Sequence, residues 1–283
     1  MPAHKYTRRM ALGAIAAAAT TSLTAATAQG LNIGTMDGVF RMHGNPDSVA
    51  LAKKLGLTTM QVTLGRSTDG KSLPLEDPAV QRAWLTASKR HSVALDSTYI
   101  DMLHADCLKD SDRAPMWIRK GIAITKNLSG SVLMLVFFGK CQVRQRSELD
   151  RVIDLVKELT PEAQKAGVVL GFENTSSGAD NLYAVDKVAS PYFKVFYDIG
   201  NSTYNGYDVP AEIRALGRDR ICMFHIKDKG YLGEGNVDVA AALRAIDDIQ
   251  FRGLAFLETT SPSGDVEADA KRNLEYLQKL MRA

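Results

Sequence analysis

Eight short apolar runs punctuate this chain, and stretches of helical spacing separate them. They fall at 31–37, 59–64, 93–99, 132–138, 168–172, 194–197, 221–226 and 254–257. The fourth, around Leu133, Leu135 and Phe137, is nearly unbroken, as in a strand buried on both faces. Regular strand–helix alternation implies parallel strands with crossover helices. Eight units after residue 28 predict an α/β fold, a single closed (β/α)8 TIM barrel. The main rival is an open doubly wound sheet. That fold usually carries a glycine-rich phosphate loop after its first strand, and the segment 31–38 has none.

Helices are expected at 47–55, 78–90, 112–127 and 266–281. Gly56 follows the first where a C-cap glycine belongs. The clearest helical repeat is Leu149, Val152, Ile153, Val156 and Leu159. Ser147 and Asp150 resemble a capping box at its start. Pro161 is expected to kink or split this helix, and Gly167 to end the helical region.

Residues 1–28 follow another pattern. Lys5, Arg8 and Arg9 precede the small apolar run 11–19, and Ala26-Thr27-Ala28 fits a signal-peptidase site. The paired arginines resemble a twin-arginine export signal. The expectation is an exported, periplasmic protein, with a barrel at 29–283. The chain has 35 basic and 32 acidic residues. The first 28 hold three of the bases and no acid, so the remainder balances to formal charge zero. No basic patch points to nucleic acid, and no later segment suggests stable membrane insertion. Cys107, Cys141 and Cys222 are odd in number and widely spaced, which does not suggest a disulfide framework. Cys222 lies in an apolar run and is expected to be a buried small residue.

The last four runs end alike. Glu173, Asp198, His225 and Glu258 each close an apolar run, at spacings of one strand–helix unit. In such a barrel, strand C-termini build the active site. Four side chains on consecutive strand ends would therefore converge. Three carboxylates and one imidazole suit one divalent ion: Mn2+ first, with Mg2+, Co2+ or Zn2+ also compatible.

With Glu173, Asp198, His225-Ile226-Lys227-Asp228, Glu258 and the loop Gly233-Glu234-Gly235-Asn236-Val237-Asp238, the chain resembles the xylose-isomerase-like barrel superfamily. Its nearest branch there is the sugar and sugar-phosphate isomerases and epimerases. The resemblance implies a metal-dependent sugar isomerase or epimerase. An ion would polarise a carbonyl and stabilise the enediolate left when an adjacent C–H proton departs. It implies that Glu173 and Glu258 are the acid/base pair, on opposite faces of the substrate, and that Asp198 and His225 are ligands only. Many relatives carry histidine where Asn201 stands, and arginine where Tyr231 stands. With no arginine clamp visible, a non-phosphorylated sugar or keto-sugar is the expected partner. A homo-oligomer is compatible with all of this.

Asn201, Lys227, Asp228, His104 and Glu234 are candidate substrate-binding residues. Asp37 and Trp117 are weaker pocket candidates, and His43 and His91 have no evident partner. The same enolisation would also serve a lyase or hydratase acting on 3-keto-glycosides. A non-catalytic sugar-binding barrel has no need of both glutamates. A nuclease relative would need more histidines than this chain offers.

Overall fold

The computed structural model describes residues 30–282. The expected export signal and its boundary at residue 28 lie outside the described residues.

Eight strands close into one parallel barrel in chain order. They are β1 (Asn32–Met36), β2 (Thr59–Thr63), β3 (Ala94–Tyr99), β4 (Val132–Val136), β5 (Val169–Glu173), β6 (Phe193–Asp198), β7 (Ile221–Ile226) and β8 (Leu254–Leu257). β8 pairs with β1 from Asn32↔Leu254 to Thr35↔Leu257, which rules out the open sheet. Among the described residues the helices are α1 (Ser48–Lys54), α2 (Pro78–His91), α3 (Ala114–Asn127), α4 (Arg146–Ala166), α5 (Gly178–Val188), α6 (Ile199–Tyr204), α7 (Val209–Arg220), α8 (Val239–Asp248) and α9 (Val266–Arg282). None of them is long and apolar enough to cross a membrane.

Every residue of β4 is buried, because the barrel interior lies on one side and helices on the other. The apolar repeat of α4 supplies such a layer, burying Leu149, Val152, Ile153, Val156 and Leu159. Each large aliphatic side chain removed from water there contributes about 1.5–3 kcal/mol.

Some local expectations are corrected. Pro161 does not split α4, which runs from Arg146 to Ala166 through it. Proline removes the hydrogen bond to the carbonyl four residues back. That carbonyl, of Lys157, instead accepts from Thr160 Oγ1 at 3.1 Å. The helix is capped not by Ser147 and Asp150 but by Glu148, whose Oε2 accepts from the amides of Arg144 (2.7 Å) and Gln145 (3.2 Å). Cys107 and Cys141 form a disulfide. The pair lies 34 residues apart, but the turns after neighbouring strands β3 and β4 bring the two together. Cys222, in β7, is a free thiol of intermediate exposure.

Candidate metal centre and acid/base site

Strand register positions the four strand-end side chains. Asp198 lies directly opposite His225 across the β6–β7 pair. Ile226 lies opposite Leu257, and the Glu258 amide donates to the Ile226 carbonyl at 3.1 Å. Glu173 closes β5, two strands away from His225. The result is one cluster. Glu173, Asp198, His225 and Glu258 each offer a ligand atom, and these atoms all lie within 4.8 Å of one another.

His225 Nδ1 is 3.0 Å from Glu173 Oε1, 2.9 Å from Glu258 Oε2 and 3.7 Å from Asp198 Oδ2. Donors held at 2.1–2.4 Å around one ion sit roughly 3–4.8 Å apart, so the cluster has the dimensions of one coordination shell. Glu173, Asp198 and His225 are buried, while the Glu258 side chain is 33% exposed and faces the opening.

Hydrogen bonding orients two of the four candidate ligands, Asp198 and His225. Asp198 Oδ1 caps α6 by accepting from the Asn201 amide at 2.8 Å. Its buried Oδ2 makes no hydrogen bond, although Lys227 Nζ approaches to 2.8 Å outside hydrogen-bond geometry. One oxygen is therefore held by the helix and the other left for a cation. On the far side of the imidazole, His225 Nε2 meets Gln61 Oε1 at 2.7 Å. Gln61 Nε2 in turn donates to Ser97 Oγ at 2.9 Å and to the Met134 sulfur, an acceptor only, at 3.4 Å, which orients the amide. His225 must then carry a proton on Nε2, so a neutral ring turns its Nδ1 lone pair toward three carboxylates. Only a proton or a metal ion makes that arrangement favourable.

Proton affinities follow from the crowding. Burial works against charge on His225, but Glu173 and Glu258 hold its pKa well above the usual value. Burial, with Glu258 and Asp198 adding to it, pushes Glu173 up to about 7 against the pull of His225. Asp198 is likewise buried, yet Lys227 and His225 hold it well below the usual carboxylate range. The pKa of Lys227 is raised by Asp198 and Glu258 despite burial. Three carboxylates, one ammonium, a neutral imidazole and one divalent cation sum to zero charge, so the donor set fits a divalent ion.

The structure brings Lys227 and Asn201 to this centre. Lys227 Nζ lies 3.0 Å from Glu258 Oε2, on the same side of its strand as His225. Its stem passes over Gly200, where an added Cβ would meet Lys227 Cγ at 2.5 Å. Asn201 Nδ2 donates to Glu173 Oε1 at 3.5 Å. His104 stacks on Phe138 between the turns after β3 and β4, and burial lowers its pKa.

Asp228 and Glu234 are occupied elsewhere. The Asp228 carboxylate accepts from the amides of Lys229, Gly233, Gly235 and Val237, shaping the loop after β7. Glu234 is exposed and pairs with Arg272. Tyr231 donates to Asp269 at 2.7 Å under the Arg272 guanidinium. Trp117 is fully buried in α3 and donates to Asp106 at 2.6 Å. Asp37 is fully buried at the end of β1, hydrogen-bonded to Tyr99, which in turn contacts His43. His91 ends α2. Sequence reasoning missed Gln61; its signal is an amide in the middle of a strand whose five residues are all buried.

Fold and site together define a (β/α)8 barrel with a carboxylate–imidazole centre at its C-terminal rim. Residues 49–280 match the family described as xylose isomerase-like TIM barrel, and the chain belongs to that family. The chain is 25% identical over 238 residues to "Putative L-ribulose-5-phosphate 3-epimerase SgbU" of Escherichia coli (strain K12), covering 75% of this chain and 82% of that protein. The structure of an L-ribulose 3-epimerase superposes with a TM-score of 0.74 at 18% identity, covering 89% of this chain and 96% of that one. That of the 3-keto-D-glucoside 4-epimerase YcjR of E. coli gives 0.72 at 14% identity, covering 88% of this chain and 99% of that one.

Proposed function

We propose that this protein is an exported, divalent-metal-dependent sugar epimerase or isomerase that moves a proton next to a carbonyl. The convergence of Glu173, Asp198, His225 and Glu258 on one point carries this reading. The sequence relative and structural neighbours named as sugar epimerases support it.

A divalent ion, Mn2+ by preference, would supply positive charge beside the substrate carbonyl. Asp198 and His225 would hold it, with Glu173 and Glu258 as the remaining ligands. Glu173 at the end of β5 and Glu258 just after β8 approach from different sides of the site, with β6 and β7 between them. One carboxylate takes the C–H proton, and the other returns a proton to the opposite face. A carboxyl titrating near neutral pH suits such work, and in the metal-free protein burial moves Glu173 in that direction. Lys227 balances the charge on Glu258 and offers an N–H to a substrate oxygen. Asn201 offers an amide to a hydroxyl. The substrate is a non-phosphorylated sugar or keto-sugar, because among the described residues no arginine pairs with the four-residue cluster, and Arg66 at the cavity edge already faces the Asp101 carboxylate at 3.9 Å. The arginine pair and small apolar run of residues 1–28 support export to the periplasm. The Cys107–Cys141 bond agrees with an oxidising compartment.

A second reading is elimination from a 3-keto-glycoside, which begins with the same proton abstraction. A cavity of about 640 Å³ at the ends of β2 and β3 leaves room for an aglycone. The test is to strip the protein of metal, restore Mn2+, and incubate it with ketoses and keto-glycosides, reading products by proton NMR. An epimer or isomer formed only with metal supports the first reading, and aglycone release the second. Identical inactivity with and without metal across the panel counts against both.

A further inference from the structure

The ends of β1, β2 and β3 carry a second polar arrangement that the four-ligand centre does not use. Asp37 Oδ2 accepts from the amides of Gly44 (2.9 Å) and Thr63 (3.2 Å). Its Oδ1 accepts from Tyr99 OH at 3.1 Å. Three donors converge on this fully buried side chain, so it acts as an acceptor. Tyr99 has a single O–H, and Asp37 takes it. The phenol oxygen can then only accept from His43 Nδ1, which lies 3.1 Å away. The His43 proton therefore sits on Nδ1 and leaves Nε2 with a free lone pair. Among the described residues the His43 ring makes no second hydrogen bond. The ring also rests against Gly38, where an added Cβ would come within 2.6 Å of Cε1. His43 is an exposed residue, and its tautomer is set by the Tyr99 contact.

His43 lines the 640 Å³ cavity, with Thr63, Arg66 and Asp101 on its polar edge and Pro74, Leu75 and Val80 as apolar floor. The cavity lies on the Glu258 side of the rim. β1 neighbours β8, with Thr35 opposite Leu257, the residue before Glu258. Apolar floor and polar edge match an uncharged polyol, whose C–H face packs while its hydroxyls donate.

We propose that His43 is a specificity-determining residue whose Nε2 accepts a hydrogen bond from a hydroxyl on the part of the sugar remote from the proton-transfer centre. Tyr99 and Asp37 are positioning residues that hold its tautomer. The identity of the ligand as a sugar rests on the function proposed above, whereas the tautomer does not.

The test uses the Mg2+-loaded full chain, with nitrogen NMR of the His43 ring during titration by D-fructose, D-allulose and a 3-keto-glucoside. The expected spectrum shows Nδ1 protonated and Nε2 bare, with Nε2 shifting on addition of at least one of these probes. Tyr99→Phe should erase the tautomer preference. His43→Phe should raise KM on the order of tenfold with kcat nearly unchanged, and His43→Gln, which keeps an acceptor, should recover part of the loss. A proton on Nε2 overturns the proposal, as does an Nε2 that none of the three probes moves. Should the protein turn over none of these sugars, the tautomer and the Nε2 shift still decide the matter, so failure of the functional reading is separately visible.

Discussion

Gln61 Oε1 lies 2.7 Å from His225 Nε2, so a glutamine of β2 sets which nitrogen of the β7 imidazole can bind a cation. Outer hydrogen-bond partners of this kind orient the ring and raise its basicity, and losing one typically weakens metal binding ten- to a hundredfold. Gln61→Leu should weaken Mn2+ or Zn2+ binding by about that factor, measured by competition with a chelating dye. Unchanged affinity would show that the Gln61 contact has no part in ion binding.

Metal binding should depend on pH in a defined direction. In the metal-free protein the His225 pKa is raised by Glu173 and Glu258 against burial, while burial raises that of Glu173 to about 7. Both groups must lose their protons to serve as ligands. Because these folded-state pKa values are raised, the stability they contribute is fully present below the ordinary values. It is lost as pH rises through the raised ones. For Glu173 that window runs from its usual 4.5 to about 7. The metal-free protein should therefore lose thermal stability across it, and the increase in Tm on adding metal should grow with pH. Calorimetry in buffers of different ionisation enthalpy should detect net proton release. A metal-induced Tm shift that shrinks with rising pH would contradict this assignment.

The Cys107–Cys141 bond should act on both stability and the rim. It closes a loop of 34 residues, for which the chain-entropy estimate is about 3–4 kcal/mol. Reduction, or Cys107→Ser with Cys141→Ser, should lower Tm on the order of 10 °C. It should also loosen the His104–Phe138 stack, which joins the same two turns. Thermal scans with and without reductant measure the first effect, and a Tm indifferent to reductant would argue against a formed bond.

The strand ends were legible because each ligand follows an apolar run, and a single acid or histidine stands out there. Lys227 was legible for a related reason, since it repeats the direction of His225 two residues on. Gln61 was not. Thr59-Met60-Gln61-Val62-Thr63 alternates like a half-exposed strand, yet all five residues are buried because its polar face turns into the barrel. Helix α6 escaped because six residues show no period; its cue was Asp198, a candidate ligand that also caps the helix. The cysteine pair and the His43–Tyr99–Asp37 chain escaped because each joins turns of different strands, a closeness that only barrel closure creates.

The central claim is that Glu173 and Glu258 move a substrate proton at a metal centre. Its most direct test is solvent deuterium exchange at the C–H beside the carbonyl, followed by proton NMR with the metal-loaded wild type and Glu258→Gln. Wild type should wash deuterium into that position. The variant should fold with a similar Tm and lose exchange by at least about a hundredfold, the usual scale for removing a general base. Exchange at the wild-type rate in Glu258→Gln would contradict the account.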